Sequence, residues 1–218
     1  MQIKNYFTPS KSTILYRKSR KKILLKQKIK ITKNFKRYGF DYFDNKNIKS
    51  GYNKYINDGR YFEPVKKIIK NFNLKKNEII CEYGCAKGFM LEEFKKLGFG
   101  VLGFEISEYA KKKSNIKKSI KIIEKINDIE NYKFDFLISK NVLPHMNSLK
   151  NINQLIEISI KKSIHKPYFI IHTFKSNKDK KLFLKWDKTH KILFNITKWK
   201  NFLKKYNKKI LYSFDVLF

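Results

Sequence analysis

Five of the eight glycines in this 218-residue chain fall inside one stretch, CEYGCAKGFMLEEFKKLGFGVLGFEIS, running from Cys81 to Ser107. Gly84 and Gly88 follow a strand-like run, EIICEY, and precede a helix-like one; a second strand-like run, GVLGFE, comes next. Glycine takes positive φ and admits a ligand where a Cβ would block it. A glycine turn between strand and helix therefore leaves the helix's free N–H groups facing whatever lies beyond the strand end.

The alternation extends along the rest of the chain. Helices are expected over 62–72, after Gly88, from Ser107 as N-cap, over LKNINQLIEISIKKSI and over TKWKNFLKKY; strands are expected at EIICEY, GVLGFE, IKIIE, FDFLIS, PYFIIHTF and KILYSFDVLF. Such alternation means βαβ units with right-handed crossovers. The expected fold is α/β: a Rossmann-like, doubly wound, mostly parallel sheet of six or seven strands. Ligands of such sheets sit outside the carboxyl ends of the strands, where strand order reverses.

The chain is long enough, and at 42% apolar and 16% aromatic rich enough, to bury a sizeable core. It has no run of about 18 apolar residues and no apolar leader with a cleavage site, so a cytoplasmic protein without a transmembrane segment is expected. Cys81 and Cys85 stand alone as C-x3-C. They make neither a disulfide scaffold nor a zinc or iron–sulfur set, and no metal centre is expected.

The formal charge of +33 invites a nucleic-acid partner. Yet only Arg17, Arg20, Arg37 and Arg60 are arginines among 51 basic residues, and this lysine bias accompanies asparagine, isoleucine, phenylalanine and tyrosine, all with AT-rich codons. Base composition can produce much of the charge. Residues 1–40, however, hold no acidic residue, and within them Leu24, Ile31, Phe35 and Tyr38 are spaced to line one face of a helix. That helix either packs on the domain or forms a basic arm for an anionic substrate, nucleic acid or membrane surface. The following YGFDYFDNKNIKSGYNKYINDGRY reads as loop with short helical turns. Residues 1–60 are thus expected to form a basic extension and cap, and residues 61–218 the cofactor-binding domain.

Glu105 ends the second strand, where a carboxylate can accept hydrogen bonds from both hydroxyls of a ribose. The turn Glu82–Gly88 lacks the G-x-G-x-x-G that admits a pyrophosphate. The sequence EYGCAKG resembles motif I (acidic-x-G-x-x-x-G) of the class I S-adenosylmethionine-dependent methyltransferases, and GFEIS resembles the motif of their ribose-binding acid. IEKINDIE is similar to the segment whose acidic residue meets the adenine amino group, here Asp128 with Ile129 beside the ring. FDFLISKNVLPHM resembles the fourth-strand motif, giving Asp135, Ser139, Asn141 and His145. WDKTHKILFNITKWKNFLKKY resembles the C-terminal segment of some small-molecule members. The resemblance covers about residues 50–218. It departs at Glu82, where many relatives have aspartate, at Pro144, where many have glutamate, and in a single strand after the Trp199 helix, where many have an antiparallel pair.

The resemblance implies S-adenosylmethionine as cofactor, held by Glu82, Gly84, Cys85, Ala86, Gly88, Glu105, Ile106, Asp128, Ile129, Ser139 and Asn141. It implies methyl transfer to a small-molecule or glycan-type acceptor. Catalysis then rests on positioning and on removing a proton, for which histidine is suited. His145 and His190 are the candidates, with Asp187 three residues before His190; His172 could also line the pocket, and His165 is expected at the surface. Tyr55, Arg60 and Tyr61 either close over the cofactor or pack in the core. Two rivals remain: an RNA methyltransferase that uses residues 1–40, although the N-P-P-Y-like run of base methylators is absent, and an inactive binding module of the same fold. Nothing in the sequence speaks to oligomeric state.

Overall fold

Six strands lie side by side in the order β3-β2-β1-β4-β5-β6, every neighbouring pair parallel: β1 (Ile79–Tyr83), β2 (Gly100–Glu105), β3 (Ile120–Ile122), β4 (Phe136–Lys140), β5 (Tyr168–Thr173) and β6 (Leu211–Val216). The order reverses between β1 and β4, so the crevice at their carboxyl ends is the place for a ligand. The structure, a computed structural model, describes residues 1–7, 11–26 and 28–217; positions 8–10 and 27 of the basic arm lie outside the described residues. No helix among the described residues is long and apolar enough to cross a membrane.

Strand side chains alternate between two faces. Ile80, Phe136, Ile138, Tyr168 and Ile170 point into one core, shared with Val65 and Ile68 of α4 (Phe62–Phe72) and Met90 and Phe94 of α5 (Phe89–Lys96). Cys81, Leu137, Phe169 and Ile171 point into the other, with Ile152, Leu155 and Ile156 of α7 (Leu149–Lys162) and Trp199 and Leu203 of α9 (Ile196–Leu203). Both cysteines are free and buried. Every residue of β5 is buried, as a central strand covered on both faces requires. The helix from Ser107 is short, α6 (Glu108–Lys112), with the Ser107 hydroxyl accepting from the Ala110 N–H at 3.0 Å.

The single basic helix expected to carry Leu24, Ile31, Phe35 and Tyr38 on one face does not form. Helix α1 (Lys11–Lys26) ends before Ile31, and a separate turn, α2 (Lys33–Lys36), starts at Thr32, whose hydroxyl accepts from the Phe35 N–H at 3.0 Å. The β-branched residues Ile29, Ile31 and Thr32 favour the break, and Thr32 makes the new cap. Leu24 packs with Phe183 and Trp186 of α8 (Lys180–Trp186), a helix the sequence pattern did not announce. The segment ahead of α1 joins the sheet: Gln2 bridges to Tyr212, and the Ile3 N–H donates to the Tyr212 carbonyl at 2.8 Å.

After α3 (Phe40–Phe43) the chain runs as loop to residue 61, yet Phe35, Tyr42, Phe43, Tyr55 and Tyr61 are buried in the same core as α4 and α5. Tyr55 and Tyr61 share a buried hydroxyl–hydroxyl hydrogen bond of 2.9 Å. A buried ion pair fastens this cap to the glycine turn. Lys87 Nζ donates to both Asp44 carboxylate oxygens at 2.7 Å and to the Tyr55 carbonyl at 2.8 Å, and Tyr109 adds a 2.7 Å bond to Asp44. Removing one partner strands the other charge. Asp44→Ala is therefore expected to lower unfolding free energy by roughly 3 kcal/mol in urea titrations, and Lys87→Met in the same chain to recover part of that loss.

Candidate active site at the carboxyl ends of the strands

The glycine turn is shaped by left-handed backbone at Gly84 (φ 76°), Ala86 (φ 51°) and Gly88 (φ 74°). A Cβ on Gly84 would lie 2.3 Å from Val142 Cγ2, so the loop after β4 can close over the turn only because residue 84 has none. Gly88 sits at the start of α5, and Cys85 is buried between the turn and β2. Glu105 is the anchor facing the turn. Its Oε1 accepts from the N–H groups of Ile106 and Ser107, both at 2.9 Å, and its Oε2 from the Ala86 N–H at 2.6 Å. Burial pushes the Glu105 carboxyl upward, and the three N–H donors pull against that shift.

Beyond this anchor opens a cavity of about 1160 Å³. Single-ligand sites usually run to about 300–1,000 Å³, so there is room for two molecules side by side. Gly84, Ala86, Glu105, Ile106, Asn141, His145 and Asp187 line it, whereas Glu82, Cys85, Gly88, Asp128, Ile129, Ser139 and His190 stand behind its wall. Ser139 instead donates its hydroxyl to the Tyr83 carbonyl at 3.0 Å, joining β4 to β1. Glu82 is buried with its carboxyl pushed well above the usual range by desolvation. In the segment after β3 it is Glu124, Lys125, Ile126 and Asn127 that reach the cavity, while Ile129 is fully buried behind them.

The opposite end is polar. Asp187 follows α8 and is buried, its carboxyl held at about 2: desolvation alone would raise it, but the neighbouring imidazoles and the hydrogen bonds from Thr189 outweigh the effect of burial. Oδ1 accepts from the Thr189 N–H at 2.9 Å and hydroxyl at 2.7 Å, and Oδ2 from the Tyr42 hydroxyl of the cap at 2.8 Å. Thr189 Oγ1 also lies 2.8 Å from His145 Nδ1. A hydroxyl has one hydrogen, and here it goes to Asp187, so His145 must donate from Nδ1 and keep a free electron pair on Nε2. Burial holds His145 below its ordinary pKa despite the nearby Asp187.

Pro144 helps to place His145. Its carbonyl accepts from the Lys191 and Ile192 N–H groups at 2.7 and 2.9 Å, docking the β4 loop on the segment that carries Asp187 and His190. His190 stacks on Phe183 at 4.0 Å between centroids and lies 4.5 Å from His145 and 5.4 Å from His172. His172 lines the cavity, and burial depresses it to about 3. His165 is not at the surface as expected: it is half-buried and bonds Glu78 at 3.0 Å.

Several wall residues escaped the sequence reading. Tyr38, Tyr42 and Tyr52 of the cap, Lys140 at the end of β4 and Asp215 of β6 all line the cavity. The aromatic density of YGFDYF was the one local signal, and it concerns Tyr38 and Tyr42 alone. Of the two roles open to them, Tyr55 and Tyr61 take the packing one, as core residues of the cap, whereas Arg60 reaches the cavity and pairs with Asp58. Asn141 sits in left-handed backbone (φ 62°), donates to Asp215 at 2.9 Å, and its buried Oδ1 has no hydrogen-bond partner among the described residues.

A family model described as a methyltransferase domain matches residues 52–212. Among solved structures the chain is similar to a SAM-dependent methyltransferase from Archaeoglobus fulgidus, at 17% identity and TM-score 0.52, with 66% of each chain covered. It is also similar to the YcgJ protein of Bacillus subtilis, at 10% identity and TM-score 0.50, covering 65% of this chain and 66% of that one. The chain thus spans just under two thirds of the length of either protein. At these identities the likeness establishes the fold. No curated protein matches the chain.

Two substitutions test the geometry. Gly84→Ala should destabilise the fold by roughly 2–4 kcal/mol, combining a forced shift of Val142 with left-handed strain; Val142→Ala in the same chain should restore only the steric part in thermal unfolding. Thr189→Val should release the His145 tautomer, read as a change in its ring 15N shifts from Nδ1-protonated toward a mixture.

Proposed function

Because the chain belongs to the methyltransferase domain family matched over residues 52–212, we propose that it transfers the methyl group of S-adenosylmethionine to a small-molecule or glycan-type acceptor. Residues 61–218 are the transferring domain in this reading, and residues 1–60 its extension and cap.

The Glu105 cradle carries the reading. A carboxylate offers about four lone-pair directions, and three are taken by the N–H groups of Ala86, Ile106 and Ser107, leaving capacity on Oε2 for a ribose hydroxyl at the cavity wall. Ile106, 58% exposed beside it, offers an apolar surface for a purine, with the Glu124–Asn127 segment at the purine's edge and Asp128 just beyond it. The unpartnered Oδ1 of Asn141 suits an ammonium. Glu82, Cys85, Gly88, Ile129 and Ser139 then act from behind the wall, fixing the turn and strand ends. When bound, S-adenosylmethionine supplies an electrophilic methyl on a sulfonium that leaves without acid assistance.

The acceptor's nucleophile belongs at the His145–Asp187 end, where the free pair on His145 Nε2 is the available Lewis base and His190 supports it from behind. The cap tyrosines Tyr38, Tyr42 and Tyr52 roof this end and help exclude water, which favours a compact acceptor over a polymer. The nucleic-acid alternative has less support. Arg17 and Arg20 of α1 turn inward, Arg17 to Asp215 at 3.0 Å and Arg20 onto the Trp186 ring at 4.0 Å, so two of the arm's arginines serve the fold rather than an outside partner.

Calorimetric titration of the full chain should show micromolar binding of S-adenosylmethionine, none of NAD, and at least about a tenfold weakening in Glu105→Ala. Absence of binding, or equal binding of NAD, would remove the basis for the enzyme reading.

A further inference from the structure

We propose that His145, Asp187 and His190 form a site for one divalent transition-metal ion of the zinc type at the acceptor end of the cavity. This deepens the reading of that end as the place where the acceptor is activated. Donor atoms of the three residues all lie within 4.8 Å of one another. Two imidazoles and a carboxylate suit a borderline-soft cation, and three protein ligands leave one position open, the pattern of a catalytic rather than a structural centre. His145 and Asp187 line the cavity, so the open position faces it.

His190 supplies the independent observation. It is 5% exposed, and neither ring nitrogen has a hydrogen-bond partner among the described residues. A buried imidazole with both nitrogens unmet is costly unless something else engages it. Stacking on Phe183, 9° from coplanar, fixes its ring plane. The backbone of Phe183 acts on the ring as a weak hydrogen-bond acceptor, beyond the geometry of a full hydrogen bond, and can receive the N–H of the nitrogen that does not ligate, which leaves the other nitrogen unmet.

The outer contacts are those of ligating side chains. His145 gives Nδ1–H to Thr189, which hands its own hydrogen to Asp187, and Tyr42 steadies Asp187 Oδ2. Nε2 of His145 and Oδ2 of Asp187 are 3.9 Å apart. Tetrahedral donors on bonds of about 2.0–2.2 Å sit roughly 3.3–3.5 Å apart, so small imidazole rotations draw the set together. The nearby Arg20 guanidinium is committed to the carbonyls of Gly51 and Trp186 at 2.8 and 2.9 Å. The isolated C-x3-C pair has no bearing on these three residues, which meet only in the fold.

The test uses the tag-free full chain, stripped with chelator and titrated with Co2+ and with Zn2+. One equivalent of Co2+ should bind with the visible absorption of a low-symmetry site and be displaced by Zn2+. His190→Ala and Asp187→Asn should each weaken Co2+ binding at least about 100-fold, and S-adenosylhomocysteine binding, measured in parallel, should persist in His190→Ala. If His190→Ala fails to fold, His145→Ala should show the same loss. Wild-type protein that binds neither metal, or variants that bind Co2+ as tightly as wild type, overturns the site; with S-adenosylhomocysteine still bound, the methyltransferase reading stands. Metal binding without S-adenosylhomocysteine binding upholds the site and strikes the cofactor reading instead.

Discussion

One buried carboxylate holds the functional half of this molecule together. Asp187 takes hydrogen bonds from Tyr42 of the N-terminal cap and from the N–H and hydroxyl of Thr189, and through Thr189 it orients His145 on the loop after β4. A buried charge is tolerated only when its lone pairs are met. Tyr42 comes from the cap and Thr189 from the segment after α8, and Thr189 in turn bonds His145 of the β4 loop, so this one carboxylate ties the three parts together around the cavity. Lys87 does the same with opposite sign at the other end, where its ammonium binds Asp44 of the cap beside the glycine turn.

Charge is distributed against the average. The chain carries +33 overall, yet the cavity lining is close to balanced: Asp58, Glu105, Glu124, Asp187 and Asp215 stand among Arg17, Arg20, Lys54, Arg60, Lys125, Lys140 and Lys191, with Arg17 and Lys140 facing Asp215 and Arg60 paired to Asp58. A cationic sulfonium entering so basic a protein would meet repulsion unless the interior were locally balanced. Lysines on the outside are screened within about 10 Å at ordinary ionic strength, so the near-balance of charges in the lining, not the outer surface, sets the field inside. Their proximity also keeps His145, His172 and His190 in a setting where burial, not surface charge, governs protonation.

The sheet was legible because its signals are local. Runs such as FDFLIS and PYFIIHTF can hardly be anything but buried strands, and Gly84 and Glu105 follow from what a turn and a strand end require. The basic helix was misread because hydrophobic spacing ignores a capping threonine: Thr32 interrupts a pattern that Leu24 and Phe35 otherwise continue. Asp128 and Ile129 were placed by resemblance to a segment rather than by its backbone, and a turn of 3-10 helix over Ile126–Asn131 presents their neighbours to the cavity instead. The clustering of three histidines, and the roof of cap tyrosines, depend on contacts between distant parts of the chain, which no periodicity encodes.

The pairing of the N-terminal segment with β6 reaches across the whole molecule. The Met1 ammonium bonds the Ile210 carbonyl over a separation of 209 residues, and Arg17 reaches Asp215 and the Val216 carbonyl from the same side. Closing so long a loop adds little entropy beyond that of a loop half its length, but it cannot happen before both ends exist. On a ribosome adding about 5–20 residues per second, β6 follows the arm by roughly ten to forty seconds. During that interval the segment ahead of α1 has no sheet edge to rest on, whereas the cap aromatics already have α4 and α5 to pack against.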